Sequence, residues 1–170
     1  MDRVPFHDDR VDGLDWAITT PAAAHDAIAA SGVPLFVRVG WVDGAFVAGA
    51  LTRFATLPNH QTVEIGPWGH GGRTHADPLR PDDPLDDGDP AGQDRRLVEF
   101  FTRHLEEASA PPAGRGTLTY STLGTHRWET VEAWPPPDLD VRRLYPDAGG
   151  ALGDRPGPAS SVRYAVDPGT

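Results

Sequence analysis

The sequence contains no cysteine, no lysine, a single methionine and no long apolar run. The absence of cysteine excludes disulfides, thiolate nucleophiles and cysteine-type zinc sites. All 15 basic residues are arginine, and they face 25 Asp and Glu, for a formal net charge of −10. So acidic a surface repels phosphate backbones and excludes nucleic acid as the expected partner. No stretch approaches the roughly 18 apolar residues that a membrane span needs, so no membrane partner is expected. The opening residues Met1-Asp2-Arg3-Val4-Pro5 lack the basic-then-apolar order of a secretory signal. These absences predict a soluble, cytoplasmic chain with neither metal nor other cofactor.

What is present in excess is glycine and proline, 19 and 18 residues, more than a fifth of the chain. Their distribution is uneven. Residues 33–70 are compact and apolar, whereas 71–92, 109–116, 135–137 and 146–160 are rich in Pro, Gly and Asp. Residues 1–20 show no period and are expected to be loop. Pro21 and Gly32 give start and stop signals for a helix over Pro21–Ser31. Val33–Gly40 is a nearly continuous apolar run that suits a strand buried on both faces, interrupted by Arg38. Phe46, Val47, Ala50, Leu51 and Phe54 recur at spacings of three and four and predict an amphipathic helix over Ala45–Leu57. Thr62–Gly66 is a second short strand, so the segment is a βαβ unit with an expected right-handed crossover. Residues 73–92 are expected to form a long surface loop. A helix over Gln93–Glu107 would turn Leu97, Phe101 and Leu105 inward, with Val98 beside them. Thr117–Leu123, Trp128–Trp134, Val141–Tyr145 and Val162–Val166 are predicted strands; the last alternates with Arg163 and Ala165. The chain is α/β first, then β.

Two residues stand out by position. Asp43 lies just past the carboxyl end of the first predicted strand, and His70 just past the end of the second. Ligands and catalytic groups gather at the carboxyl ends of strands in open α/β sheets. Neighbouring strands lie about 4.8 Å apart, so a carboxylate and an imidazole from adjacent strand ends can meet. Such a carboxylate fixes the imidazole tautomer and stabilises the imidazolium as the ring takes a nucleophile's proton. The competing reading makes Asp43-Gly44 a turn whose Asp caps the following helix, and His70 one more loop histidine among the seven histidines of the chain.

Several motifs, in order, resemble the CocE/NonD-type serine hydrolases, relatives of the Xaa-Pro dipeptidyl-peptidases. Gly40-Trp41-Val42-Asp43-Gly44 resembles their G-W-[YF]-D segment, with Val42 in place of the aromatic. Ile65-Gly66-Pro67-Trp68-Gly69-His70-Gly71 is similar to I-G-P-W-x-H-G. Glu99–Leu105 resembles their FF-D-R-x-L helix. Gly124–Trp128 with Trp134-Pro135-Pro136 resembles G-x-x-x-W…W-P-P, and Val162–Pro168 their Y-x-x-D-P segment. The resemblance runs over most of residues 33–168. It implies a partial α/β-hydrolase fold, the last βαβ portion with its helices, leading into the start of a β-sandwich. It further implies that His70 is the general base and Asp43 its orienter, in the chain order Asp then His. Trp41 and Trp68 would line the substrate pocket. The implied boundaries are 1–32 as loop and short helix, a remnant of a cap; 33–110 as the C-terminal part of the hydrolase domain; and 111–170 as a β-rich linker towards a jelly-roll-like domain.

The nucleophile is missing. Before Asp43 the only serine is Ser31, which has no G-x-S-x-G frame, and Ser109, Ser121, Ser160 and Ser161 follow His70. Removing the nucleophile of a triad lowers the rate on the order of 10⁶-fold, so the chain alone is expected to be inactive. The expected function is therefore part of a serine hydrolase acting on a small-molecule ester or amide. The alternatives are a degenerate domain that binds a ligand or partner chain, and an assembly in which a second chain supplies the serine. The first strand would expose an unpaired edge, which leaves a homo-oligomer or a complementing chain open. The acidic run Asp77–Asp89 does not match a calcium loop and is expected to be solvated. His70 and His75, joined through a Gly-Gly loop, are too loosely held for a zinc pair.

Overall fold

The structure, a computed structural model, describes residues 10–11, 14–15, 20–83, 90–106, 114–125, 127–159 and 161. The chain divides into two compact units, residues 1–137 and 138–170. Within the segment expected to be loop, β1 (Arg10–Val11) and β2 (Leu14–Asp15) form a short antiparallel pair. A 3-10 turn over Pro21–Ala24 then runs into α1 (His25–Ser31). Proline at the entry and Gly32 at the exit, with φ of 63°, supply the start and stop that the sequence predicts.

The predicted βαβ unit is β3 (Leu35–Gly40), α2 (Phe46–Thr56) and β4 (Gln61–Gly66), and the two strands run parallel. β4 pairs in parallel with β5 (Gly116–Thr122), which turns back into antiparallel β6 (Arg127–Val131). The order is β3-β4-β5-β6, so β5 and β6 extend the same sheet rather than starting a separate layer, and β3 lies at an edge. The architecture is mixed α/β with a mainly parallel sheet.

The period of two divides this sheet into an apolar face and a charged one. Val39, Val63, Ile65 and Leu118 pack with Ala50 and Phe54 of α2 as the core, bordered by Val37, Trp41, Tyr120 and Trp134. Burial of Phe54, which has no exposed surface, contributes about 2–3 kcal/mol. The last turn of α2 leaves carbonyls without helical partners. At this end Arg115 donates to the carbonyl of Ala55 (2.6 Å), and buried Gln61 donates to those of Leu57 (3.3 Å) and Arg53 (3.1 Å), the latter also accepting from Leu57 N at 2.9 Å.

The opposite face explains the arginine in the apolar run. Arg38 and Glu64 are direct partners in the register, and Arg38 Nε donates to Glu64 Oε2 at 2.7 Å. Arg96 Nε, on α3 (Pro90–Phe101), donates to Glu64 Oε1 at 2.8 Å. Phe100 meets Phe36 edge-on at 5.5 Å. Helix α3 thus docks through Gln93, Arg96 and Phe100, not through the predicted apolar face. Val98, Phe101 and Leu105 are instead largely exposed. The charged pair on the sheet selects the helix face that carries its complement. After Phe101 the chain widens into a π-helical turn over Thr102–Glu106.

The predicted loop over 73–92 is tied down at two points. Trp68 and His75 form an isolated antiparallel bridge. Asp77, only 2% exposed, accepts from Leu79 N (2.9 Å) and Gly124 N (2.6 Å), so the first residue of the acidic run is an anchor and not a solvated charge.

In the second unit the expected strand over Val141–Tyr145 is absent. Among the described residues of this unit only β7 (Tyr145–Pro146) and β8 (Leu152–Gly153) pair, and Val141 is 79% exposed. The predicted strand over Val162–Val166 lies outside the described residues.

Candidate active site

Asp43 and His70 come together at the carboxyl end of the sheet. The ladder between β3 and β4 ends on the pair Gly40↔Gly66, and Trp41 N extends it by donating to Gly66 O at 2.9 Å. The chain then turns, with Asp43 N bonded to Gly40 O (3.1 Å) and Phe46 N to Asp43 O (2.9 Å). No side chain caps α2, so the Asp43 carboxylate is free of the capping role that the sequence also allowed. It faces His70 instead: Nδ1 lies 3.1 Å from Oδ1 and 3.2 Å from Oδ2.

A carboxylate only accepts, so Nδ1 carries the proton and the neutral ring keeps its lone pair on Nε2. The Asp43 side chain is 14% exposed and that of His70 79% exposed. The carboxylate is therefore held inside while the imidazole projects outward. Among the described residues Nε2 has no protein partner. A group of this form can remove a proton from a hydroxyl that approaches Nε2, and Asp43 then stabilises the imidazolium. The Phe46 ring lies 5.4 Å from the imidazole and shields one side of it.

The loop that carries His70 is braced. Gly69 N donates to Thr74 O (3.1 Å), Gly72 N to Gly69 O (3.2 Å) and Ala76 N to Pro67 O (2.9 Å). Gly71 and Gly72 have φ of 86° and 70°, a region where a side chain would strain the turn. Buried Gln93 donates to Gly72 O at 2.8 Å, and its own carbonyl accepts from Arg38 at 3.0 Å. The charged face of the sheet thus reaches to within two residues of the imidazole.

Trp41 is half-buried, with its indole N–H donating to Ser121 O at 2.6 Å. It struts β3 against β5 beside the dyad. Trp68 has no exposed surface. Its N–H donates to Val39 O (2.9 Å), its ring packs against Trp128 at 5.8 Å, and a Cβ on Gly40 or Gly66 would collide with it. A ring so enclosed packs the core and offers no surface to a substrate, which corrects the pocket role expected of it.

The serines are placed elsewhere. Ser31 ends α1, where its hydroxyl donates to Ile28 O (2.7 Å) and accepts from Val33 N (3.2 Å). Ser121 is buried in β5. Ser109 and Ser160 lie outside the described residues. Among the described residues no serine hydroxyl bonds to His70, and no cluster of three or more His, Asp or Glu could hold a metal ion. No helix among them is long and apolar enough to cross a membrane.

Arg38, Glu64, Gln93 and Phe46 were not singled out from the sequence. One signal was available for the ion pair: Arg38-Val39-Gly40 and Glu64-Ile65-Gly66 place opposite charges two residues before the terminal glycine of each strand.

The chain is 31% identical over 134 residues to a protein of Mycobacterium bovis named "Putative serine esterase", and equally to a protein of Mycobacterium tuberculosis with the same description. The match covers 71% of this chain and 20% of each relative, so the chain spans about a fifth of their length. No protein-family model and no solved structure matches.

Proposed function

We propose that this chain carries the base half of a serine hydrolase triad of the CocE/NonD type, on part of an α/β-hydrolase fold. His70 is the general base and Asp43 fixes its tautomer. The nucleophilic serine and the groups that stabilise the tetrahedral intermediate come from polypeptide outside these 170 residues. Once that serine approaches Nε2, His70 takes its proton as the oxygen attacks the ester or amide carbonyl. The proton then passes to the leaving group, and water repeats the sequence on the acyl-enzyme.

The observation that carries this reading is the 3.1 Å contact between Asp43 and the Nδ1 of a largely exposed imidazole at the ends of adjacent parallel strands. Similarity to proteins named as serine esterases supports it, and so does the chain's coverage of only a fifth of their length. The proposed organisation keeps residues 33–110 as the last part of the catalytic domain and 111–170 as the lead towards a β-rich domain.

The test uses a fluorophosphonate, which phosphonylates an activated serine, together with hydrolysis of p-nitrophenyl acetate. The 170-residue chain alone is expected to show neither labelling nor turnover above water. In the longer polypeptide that contains the serine, His70→Ala is expected to abolish both while folding persists. Labelling of a serine within this chain would overturn the external nucleophile. Retention of more than a few per cent of activity by His70→Ala would overturn the role of the base.

A further inference from the structure

A groove of about 540 Å³ runs between the 3-10 turn at Pro21–Ala24 and the outer side of α2, within the size range of small-molecule sites. Pro21, Ala22, Phe46 and Gly49 make its walls largely apolar, and Arg53 lies among its lining residues. The Nε of Arg53 is buried without a hydrogen-bond partner, and among the described residues the guanidinium has no carboxylate partner. Asp26 is turned to solvent and bonded to His25. The planar group that matches the fork of guanidinium donors is a carboxylate, which would meet the terminal nitrogens, since Nε itself is shut off from solvent.

The opposite end of the groove is defined by Phe46, whose ring also lies against His70. Arg53 follows Phe46 by seven positions along the helix, a rise of about 10 Å. We infer that the groove binds an amphiphilic monocarboxylate, its carboxylate on Arg53 and its unbranched apolar tail along α2 towards Phe46. This binding stands apart from the hydrolase reading; only the further statement that the tail presents its far end to the dyad rests on it. On that reading the preferred ester or amide bears a carboxylate about 10 Å from the scissile bond.

The probe is octanoate, with octanamide as its uncharged counterpart, titrated into the 170-residue chain and followed by amide shifts in NMR. Octanoate is expected to bind saturably, with shifts concentrated at Gly49, Thr52 and Arg53, and octanamide at least about tenfold more weakly, as loss of a charge-assisted hydrogen bond requires. Arg53→Met keeps the apolar stem and is expected to lose at least about tenfold in affinity for octanoate. Gly49→Leu fills the groove from a helical position with no atom near the added Cβ. It is expected to abolish binding while leaving the thermal midpoint unchanged or raised. Equal binding of octanoate and octanamide, unchanged affinity in Gly49→Leu, or no binding up to about 10 mM octanoate would each overturn the site. None of these results depends on His70, so failure of the groove and failure of the dyad are told apart.

Discussion

Glu64→Gln is the most informative single change, because one carboxylate satisfies two guanidinium groups from different elements. Glu64 is 8% exposed, and its oxygens accept from Arg38 and Arg96 at 2.7 and 2.8 Å. The amide removes the charge and turns one acceptor into a donor that faces an arginine. Arg38 is 16% exposed, so its charge-assisted bond is worth about 2 kcal/mol. Arg96 is 33% exposed, and solvent screening reduces its share to about 1 kcal/mol. The expected loss is therefore about 3 kcal/mol, which lowers the thermal midpoint by about 10 °C in a unit of this size. Urea unfolding followed by circular dichroism gives the free energy by linear extrapolation. The reasoning makes a second, sharper demand. Replacing all three residues with apolar ones of similar volume should recover most of the loss, since the damage in Glu64→Gln comes from stranded charge. A loss below about 1 kcal/mol in Glu64→Gln would refute the argument, as would a triple variant no better than the single one.

The core and the strand ends give two further expectations. Phe54→Ala should destabilise by about 3–5 kcal/mol, because the residue is fully enclosed between α2 and the sheet; a urea midpoint close to that of the parent would contradict this. Gly66→Ala should cost about 1–3 kcal/mol through collision of the new Cβ with the Trp68 ring, read in the same titration as a lowered midpoint with an unchanged slope.

The parts of the fold that were legible in the sequence are those whose pattern depends on one neighbour. The helix of Phe46, Ala50 and Phe54 packs on strands next to it in the chain, so its period survives folding unchanged. The meeting of Asp43 and His70 was legible for a similar reason, since each sits a few residues past a strand that ends in glycine. The face of α3 was not. Of its predicted stripe Leu97 is half-buried but Phe101 and Leu105, with Val98 beside them, stay exposed, while Gln93 and Arg96 go to the sheet because Arg38 and Glu64 wait there. Hydrophobic periodicity carries no information about a charged partner some thirty residues away. Trp68 fails in the same way: its place beside His70 in sequence gives no sign that the ring folds back over Gly40 and Gly66.

The pairing of Arg38 with Glu64 also acts as a key for alignment. Two apolar parallel strands can slide past each other with little loss of contact, and a slip by one residue exchanges the faces of the sheet. In β3 and β4 such a slip would push a guanidinium among Val63, Ile65 and Phe54 and leave a carboxylate alone on the far side, so only one alignment keeps both charges matched. The same slip would carry Asp43 about 3.3 Å along the sheet relative to His70, beyond the reach of a hydrogen bond. An ion pair on one face of the sheet thereby sets the spacing of the dyad at its end.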